Sequence, residues 1–257
     1  MAIEVQPPPP RRALSKDELT AVRRSRRHPR PTQFDYLHVR HLVADLSDTM
    51  AGIVTPVRDV LDVWCGSRPY DDLFPGGARC VGLDVETNPY GVADVVSNEL
   101  LPFEDQSFDL VTCIEAFQWV PEPERTAAEF RRVLRPGGTV LVTLPFAFQY
   151  HREIPEARYT EHELRALFAH GWDEVQVREN GGRIVAWTVL TNSMIAGVEE
   201  RVVAHRILRP GRPLIALTYF SLNMLGRLLA QLEGRFARGT VTLPMNLMLT
   251  ARRSHDG

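Results

Sequence analysis

The chain has 257 residues, 44% hydrophobic and 24% charged, with a formal net charge of −2, which fits one large globular domain or a domain with an appended lobe. It holds no uncharged apolar run of roughly 18 residues, and MAIEVQPPPPRR at the N-terminus lacks an apolar stretch, so neither a membrane span nor a secretory signal is expected. Cys65, Cys80 and Cys113 are widely spaced and form no CxxC pair, which argues against a zinc site or a disulfide framework and for a reducing, cytoplasmic setting.

Residues 1–33 read as a basic arm. PPPPRR suggests an extended or disordered start, and Ser15 with Glu18 predicts a capping box opening a short helix at Lys16. Arg23, Arg24, Arg26, Arg27 and Arg30 follow without interleaved aromatics, the pattern of a solvated helix face more than of a nucleic-acid clamp. A second helix is predicted over 34–49 from the spacing of Phe34, Leu37, Val39, Leu42, Val43 and Leu46.

From residue 58 the pattern alternates between strands and helical stretches. Strands are predicted at Asp59–Val63, Arg79–Asp84, Ala93–Val96, Phe108–Ile114, Thr139–Leu144 and Trp172–Val177. Helices are predicted at Glu122–Leu134, stopped by Arg135-Pro136-Gly137-Gly138, and at Thr160–Ala169, where Thr160 and Glu163 form a second capping box. Such alternation implies βαβ units and a mostly parallel sheet. Two apolar helices are expected at Ile184–Val198 and Leu214–Leu232, then a last strand at Thr240–Ala251. Charge is segregated along the chain: residues 51–182 carry 22 acids against 11 arginines, whereas residues 183–253 carry 10 arginines against 3 glutamates.

A strand ending at Asp62, a turn containing Gly66, and a second strand ending at Asp84 about 20 residues on together make a nucleotide-cofactor half-fold. The G-x-G-x-x-G of a dinucleotide site is missing. VLDVWCGSRPY instead resembles motif I of the class I S-adenosylmethionine-dependent methyltransferases, D-x-G-x-G-x-G, with Trp64 at the first glycine and Arg68 at the last. VGLDV at 81–85, LLPFEDQSFDLVTCIEAFQWV at 100–120 and AAEFRRVLRPGGTVLVTLPF at 127–146 are similar, in order, to the type-11 subgroup of that family.

The resemblance implies a Rossmann-like α/β fold with a seven-stranded, mostly parallel sheet and helices on both faces. It places the core at 34–182, an apolar helical insertion (lid or dimer face) at 183–239, and the last strand and tail at 240–257. It implies S-adenosylmethionine as cofactor and no metal. Asp62 with Val63, Trp64, Cys65 and Gly66 would face its methionine part, Asp84 the ribose hydroxyls, Val85 the adenine, and Ser97 and Asn98 the adenine amine. Glu115, where the fourth strand opens onto the cofactor, would meet the methionine end.

The activity implied is methyl transfer to a small-molecule or glycan hydroxyl. The rivals are an inactive relative, its pocket filled by Trp64, and a nucleic-acid methyltransferase using the basic arm. For an active enzyme, the indole is expected to turn away from the cofactor, against the helix at 34–49. Tyr150, His151, Glu153, Tyr159 and His162 lie past the fifth strand, and His151 is the choice for the base that takes the hydroxyl proton, because histidine titrates near neutrality. The apolar helices with Arg206, Arg209 and Arg212 between them suit a lipid-linked acceptor and a peripheral membrane contact, or a homodimer.

Overall fold

A computed structural model describes residues 14–53, 56–97, 101–150, 154–204, 211–236 and 242–255, the side chains of 201–204 and 234–236 excepted. The chain opens with α1 (Lys16–Arg27), where Ser15 and Glu18 form the reciprocal cap, and α2 (Tyr36–Ala51). The strands are β1 (Asp59–Val63), β2 (Arg79–Asp84), β3 (Val95–Val96), β4 (Phe108–Ile114), β5 (Leu134–Pro145), β6 (Trp172–Asn180) and β7 (Asn246–Arg253). Between them lie α3 (Pro123–Val133), α4 (Glu161–Leu167), α5 (Arg183–Ala204) and α6 (Arg212–Phe236).

The strands form one sheet in the order β3-β2-β1-β4-β5-β7-β6, with β7 antiparallel to both its neighbours. The strand order reverses between the parallel β1 and β4, and that switch point opens a crevice at their carboxyl ends, where ligands bind in open α/β sheets. Successive residues point to opposite faces, so each apolar strand feeds two cores. Val60, Leu110 and Leu141 meet Leu42, Leu46 and Met50 of α2, while Leu61, Val111 and Val140 meet Phe130 and Val133 of α3 and Leu164 of α4.

Two features depart from expectation. The β1–β2 crossover carries no α-helix: a 3-10 turn at Asp71–Leu73 takes its place, anchored by Tyr70 and Phe74 in the α2 core. Pro69, Pro75, Gly76 and Gly77 explain why this stretch cannot wind. Also, β5 begins at Leu134, before Arg135-Pro136-Gly137-Gly138, which run in the strand with a register shift opposite Phe108–Leu110.

That signature lies at the amino end of the sheet, away from the crevice. A Cβ on Gly138 would stand 2.9 Å from Arg135 O and 3.0 Å from Asp109 O, so a side chain cannot be accommodated without a backbone shift. Arg135 then bridges Asp59 and Asp109, at 3.0 and 2.8 Å, clamping the starts of β1 and β4.

Helices α5 and α6 pack on each other and on α2, rooted at the carboxyl ends of β5 and β6 and the amino end of β7. Met245 joins that root, donating to Gly181 O and accepting from Phe146 and Ala147. Asn192 donates to Asn223 and to Phe34 O, and Asn223 donates to Pro31 O and Gln33 O, so both helices are tied to the segment before α2. The Arg212–Glu233 stretch of α6, with mean hydropathy 1.3, is long and apolar enough to cross a membrane, contrary to the expectation of no such segment. A sequence window broken by Arg227 conceals this.

Candidate active site

The crevice begins at the turn after β1. Trp64, Gly66 and Arg68 all have left-handed backbones, with φ of 54°, 56° and 54°, which costs about 1–2 kcal/mol at each non-glycine position. Side-chain contacts offset that strain. The Trp64 indole packs against Phe130, with ring centroids 6.4 Å apart, and Arg68 binds Asp94 at 2.6 Å and Asp71 at 2.9 Å.

The expected indole partner was the helix at 34–49; instead Trp64 joins the α3 core, on the opposite face of the sheet. The physical reason is the turn itself, which carries Trp64 onto the same side as Leu61 and Val63. With the indole drawn into that core, the space over Gly66 stays free: a Cβ built there meets nothing within 4 Å.

The turn is fastened to the end of β2. Cys65 N–H donates to Leu83 O at 3.1 Å, and Gly66 N–H donates to Asp84 Oδ2 at 2.7 Å. The Asn88 amide also donates to Oδ2, and Val85 N–H donates to Oδ1 at 2.8 Å. A carboxylate has about four acceptor sites, so Asp84 keeps one on Oδ1. Ser97 reaches the same corner, donating its N–H to Asp84 O, while Asn98 lies outside the described residues. Val63 and Cys65 are buried beneath the turn, and burial pushes the Cys65 thiol well up, making it inert as a nucleophile at neutral pH.

Asp62 lies buried next to Val63 and accepts from Thr112 Oγ1 at 2.8 Å. Burial pushes its carboxyl up from 3.8 to about 7, against the Thr112 hydrogen bond, with Asp71 and Asp84 adding to the rise. The folded protein thus holds a proton that the unfolded chain has already released, so stability falls as pH climbs from 3.8 to about 7. Asp62→Asn is expected to be more stable than the parent at pH 8, the advantage vanishing as pH falls toward 3.8. Thermal melts across that range check it; a parent curve flat with pH would contradict the protonated carboxyl.

Across the crevice, Glu115 follows β4 with φ 56°, its N–H bonded to Thr143 O and Oγ1. Its carboxylate meets His38 Nε2 of α2 at 3.2 Å and the Asn246 amide of β7 at 2.7 Å. Burial opposes ionisation, yet His38, Thr143 and Asn246 hold Glu115 below the ordinary carboxylate range. His38 is itself buried, with its Nδ1 unpartnered and the Phe148 ring edge-on at 5.1 Å.

His38 and Asn246 were not read from sequence. A polar residue leading the apolar strand NLMLTA was a signal for Asn246, but nothing local marks His38. Of the bases expected beyond β5, His151 and Glu153 lie outside the described residues, Tyr150 is exposed, Tyr159 packs on Phe117, and His162 sits exposed in the first turn of α4. Among the described residues, no cluster of His, Cys, Asp or Glu has the geometry of a metal site.

Residues 61–142 match the family described as "Methyltransferase domain". The chain is 33% identical over 122 residues to the ubiquinone biosynthesis O-methyltransferase of Hahella chejuensis, a stretch covering 41% of this chain and 50% of that one. It is 30% identical over 125 residues to the enzyme of the same name from Aromatoleum aromaticum, 42% of this chain and 53% of the relative. The chain thus spans about half the length of these curated relatives. In fold it is similar to the [4+2]-cyclase SpnF, with a TM-score of 0.55 at 18% identity over 85% of this chain and 82% of that one. It is also similar to a candidate sarcosine dimethylglycine methyltransferase from Galdieria sulphuraria, with a TM-score of 0.52 at 17% identity over 84% and 87% of the two chains. Residues 61–142 thus carry a methyltransferase domain, and the Asp62–Gly66–Asp84 corner lies within them.

Proposed function

We propose that this protein transfers a methyl group from S-adenosylmethionine to a hydroxyl oxygen of a small molecule. The observation that carries the reading is the Gly66–Asp84 hydrogen bond, which fixes the motif turn and the second acid as one corner of the crevice. The residues fit the cofactor: Asp84 retains an acceptor site for a ribose hydroxyl, and the room over Gly66 allows close approach to the backbone. Val85 and Ser97 would border the adenine, and Asp62 with the backbone from Val63 to Gly66 would hold the methionine part. A cationic amine docked beside Asp62 would draw its carboxyl back down and expel its proton.

The bound cofactor supplies an electrophilic methyl group on a sulfonium, so the chain's main tasks are to align the acceptor oxygen and keep water out. The oxygen must also lose its proton. In the proposed mechanism His38, oriented by Glu115, takes it at Nδ1, Phe148 moving aside to admit the acceptor. An imidazole is matched to a phenolic hydroxyl, whose acidity is like that of tyrosine at about 10, and poorly matched to the far weaker acidity of a sugar hydroxyl. The names of the relatives support an oxygen acceptor. Trp64 packed against Phe130 counts against an inactive relative with a filled pocket. The basic arm counts against a nucleic-acid clamp, since Arg23 and Arg27 are turned onto Ser67 O and Asp72.

Labelled S-adenosylmethionine with catechol, and with a nitrocatechol already ionised at mildly alkaline pH, tests this reading. His38→Ala is expected to slow catechol methylation by about 10²–10⁴-fold and to spare the nitrocatechol, which needs no base. Equal losses on both acceptors in a folded variant would remove the base role. Failure of the parent to methylate either would remove the phenolic acceptor.

A further inference from the structure

The methyl-transfer reading leaves the outer face of the α5–α6 hairpin unused. Trp187, Leu190, Met194 and Val198 recur every three or four residues along α5, opposite its buried Val185, Val189 and Asn192. Met194 is 80% exposed. Along α6, Leu214, Leu217, Leu228 and Leu232 form a matching stripe, opposite buried Tyr219 and Asn223. A compact domain seldom shows water two adjacent apolar helix faces without a partner for them.

The charges around this face indicate which partner. Of the three glutamates in residues 183–253, Glu199 accepts from Tyr219 Oη, Glu233 is spent on Arg183 and the Ile184 N–H, and Glu200 is exposed on α5, on the side away from the Trp187–Met194 stripe. Arg212 and Arg227 on α6 are exposed and carry no ion pair among the described residues. Arg30 is likewise exposed, and its neighbour Pro31 is held by Asn223 of α6. The apolar stripes are therefore flanked by free guanidinium groups.

A second copy docked by a two-fold axis would bring two sets of like-charged arginines to one interface. An anionic lipid surface answers both features at once, the headgroups pairing with arginine while the stripe enters the acyl boundary. The helices would lie on such a surface and not cross it, because Asn192 and Asn223 hold their inner faces to the body by hydrogen bonds to Phe34 O, Pro31 O and Gln33 O.

We propose that the outer face of α5–α6 docks the protein onto an anionic lipid bilayer. The hairpin is rooted at the carboxyl ends of β5 and β6, the edge of the sheet on which the crevice opens, so docking brings the crevice to the bilayer surface and selects an amphipathic acceptor residing there. The acceptor class rests on the methyl-transfer reading; the docking surface does not.

Co-sedimentation of the full chain with phosphatidylcholine vesicles, with and without phosphatidylglycerol, tests the proposal. Binding is expected to the anionic vesicles, to weaken as salt is raised, and to fall at least tenfold in a Leu217→Glu/Leu228→Glu variant whose melting temperature and S-adenosylhomocysteine affinity are unchanged. Absence of binding to anionic vesicles, or binding that the glutamates leave intact, would overturn it. So would a stable dimer by light scattering that the glutamates dissociate and vesicles do not. Vesicle binding by a protein that fails to bind S-adenosylhomocysteine would sink the methyl-transfer reading and leave the docking surface standing.

Discussion

Asp84→Ala is expected to weaken S-adenosylhomocysteine binding about tenfold to a hundredfold, equivalent to about 1.5–3 kcal/mol. The carboxylate ends β2 at the switch point, is 5% exposed, and receives Gly66, Val85 and Asn88 donors. A ribose diol would add a charge-assisted hydrogen bond at the remaining site and compete with the Asn88 amide. Alanine removes the acceptor and also leaves the Gly66 and Val85 N–H groups unpaired, so the turn loosens as well. Calorimetric titration is therefore read beside a thermal melt. A cooperatively folded variant that binds as tightly as the parent would remove Asp84 from the ribose.

Phe130→Ala should cost about 3–5 kcal/mol of stability, the largest loss expected from a single side chain here. Phe130 is wholly buried on α3 and touches both Trp64 and Phe117, at centroid distances of 6.4 and 6.3 Å. Phe117 continues the stack to Tyr159 and Phe168, and Phe168 to Trp172. Alanine would open a cavity where several rings meet, and rigid neighbours cannot close it fully. It would also free the indole that holds the left-handed turn. Phe130→Leu, which keeps most of the volume, should cost less than about 1.5 kcal/mol. Chemical denaturation measures both; an alanine cost below that of leucine would contradict the packing described.

Much of this architecture is legible in sequence because parallel strands buried on both faces are short apolar runs between turn residues. Asp59–Val63, Arg79–Asp84 and Phe108–Ile114 are the strands expected. Both capping boxes are also where the Ser-x-x-Glu and Thr-x-x-Glu patterns put them. What failed was non-local. Arg135-Pro136-Gly137-Gly138 reads as a stop, yet Asp59 and Asp109 draw Arg135 into a strand that continues through it. The direction of Trp64 depends on the sign of a single φ angle, which a glycine pattern does not encode for tryptophan.

The two acids of the crevice stand out by spacing, one at the end of each strand. His38 and Asn246 do not, because 208 residues separate two side chains that meet only when β7 inserts beside β5. Their polarity is visible in sequence, but the shared carboxylate of Glu115 is not.

Titration of S-adenosylhomocysteine into the parent and into Trp64→Gly tests the central claim most directly, because Trp64 stands where the family pattern has glycine. With the indole packed on Phe130, the parent binds, and the glycine variant binds with the same affinity within about threefold. Glycine loses the burial of the indole, about 1.5–3 kcal/mol, and recovers about 1 kcal/mol of left-handed strain, so the variant melts earlier. No binding by the parent, together with binding by the glycine variant, would contradict the account: the indole would then fill the place of the cofactor.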